Sequence, residues 1–160
     1  MNAFANSQWI WGDESYDNHF MVFARTIAVP DGVSLLRTRI TASYHYELFI
    51  NGEFINRGPV HGDPKWCLFD QLTTVLSPET HEIRVAVVVR HSANLHLRYM
   101  TPALPGWRAE FTLGEVTVGT DASWRCMTLP MWDPEAAKRG PALDYIEDYD
   151  SRREPERWTA

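Results

Sequence analysis

The sequence predicts an all-β fold, an antiparallel two-sheet jelly-roll sandwich. Apolar residues recur with a period of two through most of the first 129 residues. Clusters of Gly, Pro, Asn and Asp punctuate these runs at short spacing. No amphipathic helical pattern of useful length lies between them, which excludes an α/β arrangement. The 160 residues fit one domain, and a chain of this length buries a core without staples.

The elements follow in order. Residues 19–29 form a first strand, ended by Pro30-Asp31-Gly32. Residues 33–42 form a second, with Leu36, Thr38, Ile40 and Ala42 on one face and Arg37 and Arg39 on the other. Residues 44–50 place Tyr44, Tyr46, Leu48 and Ile50 together. Asn51-Gly52 predicts a type I′ turn, because both central residues need positive φ. That turn pairs Ile50 with Glu53 and Phe49 with Phe54, an aromatic cross-strand contact.

A polar stretch over 57–65 precedes a short strand at 66–69, which leads into 70–76. After Ser77-Pro78-Glu79 comes the strand 81–91. Here Ile83, Val85, Val87 and Val89 share one face, and Ala86 and Val88 make the other apolar. Such a strand is central and buried on both sides. Residues 92–105 form an aperiodic connection, of a length that is often functional in compact domains. Trp107, Ala109, Phe111 and Leu113 then alternate with Arg108, Glu110 and Thr112. Short strands at 116–118 and 124–129 follow turns at Gly114-Glu115 and Gly119 to Ser123.

After Pro130 the texture changes. Residues 1–130 read as the sandwich domain, and 131–160 as an extension that packs on it or links to a further domain. Asp133 to Lys138 could form one or two helical turns. Trp132, Tyr145, Tyr149 and Trp158 are too many aromatics for a solvated linker, so packing across the sandwich is expected.

Composition narrows the partners. Twenty-one acidic and fifteen basic residues give a net charge of −6 with no basic run, which disfavours nucleic acid and anionic membrane surfaces. An apolar content of 44% excludes a disordered chain. No apolar run approaches the ~18 residues of a membrane span. The first residues show no basic n-region or apolar h-region, which favours the cytoplasm. Cys67 and Cys126 each sit in an apolar stretch and read as buried free thiols, with a single bridge as the alternative.

Seven Trp, six Tyr and seven Phe suit either a β core or a face that stacks on sugar rings. No Gly-rich phosphate loop and no G-x-S-x-G elbow occurs. Glu47, Glu53, Asp63, Asp70 and Glu110 are candidate carboxylates, but no two of them share a distinguished environment as a glycosidase dyad would. A small polar or metal site is open if the loops that carry His61 with Asp63 and His91 with His96 converge. The stronger reading is carbohydrate binding, which needs an aromatic platform with charged and amide partners. Two loops supply it, 57–66 and 91–107. Their candidate residues are Arg57, His61, Asp63, Trp66, His91, Asn94 and Arg98. Trp107 is a further platform candidate, but it shares a face with Phe111 and so competes for a core role.

A set of motifs points to a family. Residues 46–59, YELFINGEFINRGP, are followed by Gly62-Asp63-Pro64 and an aromatic stretch ending in Asp70. With Trp9-Ile10-Trp11, the strand 83–90, Gly119-Thr-Asp-Ala-Ser-Trp-Arg125 and the closing Tyr149 to Glu154 with Trp158, this resembles the N-terminal β-sandwich of bacterial α-L-rhamnosidase-like glycoside hydrolases. The resemblance covers roughly residues 9–158. It implies a galactose-binding-like sandwich and a non-catalytic accessory role. In such enzymes a separate (α/α)6 barrel supplies the catalytic carboxylates. A stand-alone carbohydrate-binding module is the alternative, and a small glycosidase a third reading. Some related sandwich domains bind L-rhamnose with calcium, so the resemblance leaves both open as ligands, with no residue-by-residue match.

Overall fold

A computed structural model describes residues 4–60, 62, 68–92, 104–140 and 143–156. Its strands are β1 (His19–Ala28), β2 (Leu35–Ala42), β3 (His45–Ile50), β4 (Glu53–Gly58), β5 (Asp70–Val75), β6 (Glu82–His91), β7 (Trp107–Leu113), β8 (Val116–Gly119) and β9 (Arg125–Thr128). They form two antiparallel sheets, β4-β3-β6-β1-β9 and β5-β2-β7-β8, and the chain crosses repeatedly between them as a jelly roll does. Among the described residues the helical segment is a single 3-10 turn, Ser151–Arg153. No helix among them is long and apolar enough to cross a membrane.

Alternation makes the core. Met21, Phe23 and Ile27 of β1, Tyr46, Leu48 and Ile50 of β3, and Ile83 to Val89 at odd positions of β6 face Leu36, Ile40, Trp107, Ala109, Phe111 and Leu113 of the other sheet. Each large side chain removed from water contributes about 1.5–3 kcal/mol. Trp107 is fully buried, edge-on to Trp124 at 5.0 Å between ring centroids, so its role is core packing and not a sugar platform. The hairpin has the expected register, Ile50↔Glu53 and Phe49↔Phe54, with φ of 52° at Asn51 and 82° at Gly52. The two phenylalanine rings meet edge-on at 5.8 Å. Asn51 also accepts from the Arg84 amide at 2.8 Å, which ties the turn to β6.

Several expectations are corrected. Tyr44 does not join Tyr46 on the core face. The chain bends at Ser43-Tyr44, β3 begins at His45, and the Tyr44 ring sits against the Arg90 guanidinium on the opposite face. Residues 133–138 form no helix, because the Asp133 side chain accepts from the Glu135 amide at 2.9 Å and closes a turn instead. Leu68 and Phe69 are not in a strand, while Trp66, Cys67 and Trp158 lie outside the described residues. Cys126 is a free thiol but exposed, because β9 is a short edge strand.

Both outer faces carry chain. The amino-terminal residues cross β7 and β8: Arg108 donates to the Phe4 and Ser7 carbonyls, and Glu110 accepts from the Asn6 amide at 2.6 Å. Gly119 is required there, since a Cβ would stand 1.9 Å from the Asn6 carbonyl oxygen. On the five-stranded sheet, Phe20, Val22, Ala86 and Val88 form a second apolar cluster with Leu129 and Met131, and Trp132 stacks on Phe20 at 4.6 Å. Residues 131–150 double back as an irregular pair, with Asp150 N–H to Met131 O at 2.8 Å and Ile146 N–H to Ala137 O at 2.9 Å.

The core face of β1 and β6 ends in two histidines. His19 and His91 are register partners, 0% and 3% exposed. The Trp11 ring meets both edge-on, at 5.5 and 5.9 Å. His19 Nε2 contacts the Thr128 hydroxyl at 3.0 Å, but neither ring's Nδ1 has a hydrogen-bond partner among the described residues. Burial first, and His91 second, push the His19 imidazole down to about 4; burial also lowers His91, with Asp17 opposing.

Two outcomes are expected. Gly52→Val has open space around the new side chain but forces a β-branched residue to positive φ, so it should cost about 1 kcal/mol or more in urea unfolding; an unchanged midpoint would reject the turn assignment. Acid should also destabilise. The histidine pKa is depressed in the folded state, so its stabilisation is complete above pH 6.5 and fades as pH falls toward 4. Between pH 7.5 and 5, above the main carboxylate range, His19 alone should account for about 2 kcal/mol. His19→Phe should flatten that slope, and an unaltered slope would show that the pair titrates normally.

Candidate functional site

The strand order decides where the two sequence-flagged loops lie. Tyr46 pairs with Gly58 on one side and with Val89 on the other. The chain therefore leaves β4 after Gly58 and β6 after His91 at one end of the same sheet. β1 starts and β9 ends there too, with Met21 paired to both Val89 and Thr128. Loops 57–66 and 91–107 share an origin.

Of the candidate residues, Arg57 and His91 are described; His61, Asp63, Trp66, Asn94 and Arg98 lie outside the described residues. The two that are visible are not brought together. Arg57 is exposed and pairs in register with Glu47, which faces out from the sandwich. The Glu47 carboxyl is pushed up by burial first and by Glu147 second, and the Arg57 guanidinium opposes this. His91 continues the parity of Val85, Val87 and Val89 and points into the core, on the opposite face. Its place is at the floor of this end of the sheet, not on a loop surface.

Beside Arg57, the Tyr46 hydroxyl donates to Asp70 at 2.5 Å and accepts from Asn56 at 2.9 Å. Burial and then the Asp70 hydrogen bond hold that phenol well above its usual range. This cluster fixes the chain on either side of loop 57–66.

On the β1 side the same end opens into a cleft of about 430 Å³, lined by Tyr16, Asp17, Pro134, Glu135, Ala136 and Tyr145. Its volume falls within the range of small-ligand sites. The Tyr16 ring is stacked at 3.8 Å on buried His19, nearly parallel at 11°, and is 38% exposed. Asp17 gathers the surroundings. One carboxylate oxygen accepts from the Asn18 amide and the Ser92 hydroxyl, each at 3.1 Å. The other accepts from the Tyr145 hydroxyl and lies 3.9 Å from Lys138 Nζ. The Lys138 ammonium sits 4.7 Å above the Tyr145 ring. Burial first, and the bond to Asp17 next, raise the Tyr145 phenol. Glu135 is exposed, and its carboxylate makes no hydrogen bond or ion pair to a described residue.

Sequence reasoning missed this cleft, because its walls come from positions more than a hundred residues apart. The signal was the pairing of tyrosine with aspartate at 16–17 and again at 144–145. Among the described residues no group of three or more His, Cys, Asp or Glu side chains converges as a metal requires.

No protein-family model and no curated protein matches the sequence. Solved structures are. A GH78 family rhamnosidase of Bacillus sp. GL1 superposes with a TM-score of 0.89 at 29% identity, over 98% of this chain and 17% of that one. An α-L-rhamnosidase of Streptomyces avermitilis, solved in complex with L-rhamnose, gives 0.54 at 19% identity over 93% of this chain and 14% of that one. A lectin of Pleurotus ostreatus, in complex with GalNAc, gives 0.59 at 17% identity over 89% and 42%. The last two likenesses are of fold alone. The chain spans about a sixth of the first rhamnosidase's length, and over that span the likeness extends from end to end. This chain is a two-sheet β-sandwich that is similar, over nearly all of its length, to a part of that GH78 rhamnosidase.

Proposed function

We propose that this domain is a non-catalytic accessory domain of an α-L-rhamnosidase-like glycoside hydrolase. It packs on a catalytic (α/α)6 domain of the same or a partner chain and contacts the carbohydrate there. The observation that carries this reading is the coverage: 98% of this chain matches only 17% of the rhamnosidase, a share too small to hold a barrel enzyme. Residues 131–160 would be the segment that leads from the sandwich toward that domain. The shared origin of loops 57–66 and 91–107 supports one carbohydrate-facing end. Arg57, His61, Asp63, Trp66, Asn94 and Arg98 remain the loop residues proposed for contact, with His91 as a buried support.

A stand-alone binding module is the competing reading. The lectin likeness favours it, but at 17% identity that likeness carries no ligand.

The test is a titration of the chain with L-rhamnose, followed by amide NMR with and without calcium, beside an assay on an aryl α-L-rhamnoside. Saturable shifts at this end of the five-stranded sheet and no turnover are expected, with affinity in the millimolar to micromolar range, or about 4–8 kcal/mol. Turnover by the purified chain would overturn the accessory reading. Silence at tens of millimolar sugar would remove the carbohydrate contact.

A further inference from the structure

We infer that the cleft between Tyr16 and Tyr145 is a binding site for one neutral pyranose unit, seated on the Tyr16 ring. The inference rests on the reading of this domain as carbohydrate-contacting, and it places that contact at residues which neither loop supplies.

The platform comes first. A sugar presents a C–H face, and that face needs a flat apolar ring held still. One face of Tyr16 is stacked on His19, which is itself fully buried, so the ring is fixed before any ligand arrives. Its exposed part borders the cleft. Preformed platforms lose little conformational entropy on binding.

Charge then selects the ligand class. The cleft carries carboxylates at Asp17 and Glu135, and the Lys138 ammonium lies beside Asp17. A bound cation is disfavoured, since Lys138 already occupies the seat over Tyr145 and against Asp17. A bound anion is disfavoured by both carboxylates. A hydroxyl has no such conflict, because it donates to a carboxylate and accepts from an ammonium. Glu135 has the free acceptor capacity, and Asp17 is held in place by Asn18, Ser92 and Tyr145. The size agrees: the opening of about 430 Å³ suits one ring rather than a long glycan.

The experiment titrates the full chain and its variants with methyl α-L-rhamnoside, glucuronate and glucosamine, read by amide shifts. The neutral glycoside should shift residues 16–17 and 134–145 and bind more tightly than either charged sugar. Glu135→Gln, an exposed change that leaves the fold alone, should weaken it about 5- to 10-fold through the lost charge-assisted hydrogen bond. Tyr16→Ala should abolish it, and Tyr16→Phe should retain it, separating lost stacking from lost folding. Shifts confined to 57–66 and 92–106, unchanged in Glu135→Gln and Tyr16→Ala, would overturn the cleft while leaving the carbohydrate-contacting domain intact. Equal binding of all three sugars would overturn the charge argument. Absence of shifts with every sugar would remove both.

Discussion

The Arg90 guanidinium is buried on the outer face of the five-stranded sheet, 7% exposed, where a lone charge would be strongly destabilising. Three parts of the chain neutralise it. Asn18, just before β1, accepts from it twice, at 3.0 and 2.8 Å. Asp144, in the carboxy-terminal segment, pairs with it at 3.0 Å. The rings of Phe20 and Tyr44 flank it at 5.0 and 5.8 Å from their centroids. Each partner is positioned by a feature otherwise hard to explain. Asn18 adopts a left-handed φ of 56° and donates to the Asp133 carbonyl. Tyr44 leaves the core face, and its hydroxyl donates to Asp144 at 2.5 Å.

This constraint joins the two apolar faces of β6 into one body. Its inner face needs the second sheet; its outer face needs Leu129, Met131 and Trp132. Covering the outer face brings Ala136, Lys138 and Tyr145 beside Tyr16 and Asp17, and so forms the cleft. Fold and site are thus linked. The segment that buries the sheet continues into the cleft's far wall, and His19, at the end of the core, stacks under its Tyr16 platform.

The sequence made the strands legible because alternation is local. The Asn51-Gly52 turn, the buried faces of β2 and β7, and the two-sided burial of β6 all follow from neighbours in the chain. Parity also marks His91 as inward, two residues beyond Val89, but a histidine beside an aperiodic stretch reads as a loop residue. Tyr44 misleads for a different reason: a bend between β2 and β3 resets the alternation, and Arg90 and Asp144 hold it on the outer face. Cys126 lies in an apolar-looking stretch, and its exposure follows from being on an edge strand, which depends on strand order. The cleft was invisible for a similar reason. Tyr16 and Tyr145 meet through tertiary packing, and no periodicity connects them.

The central claim is that residues 131–150 and the five-stranded sheet form one cooperative unit, bound through Arg90 and the outer apolar cluster. Native-state hydrogen exchange of the intact chain tests it most directly. The Asp133, Ile146 and Asp150 amides, bonded to Asp148, Ala137 and Met131, should exchange with an opening free energy within about 1 kcal/mol of the β6 centre at Val87. Exchange of those three amides at several kcal/mol lower cost, with β6 still protected, would show an appended segment and contradict the account.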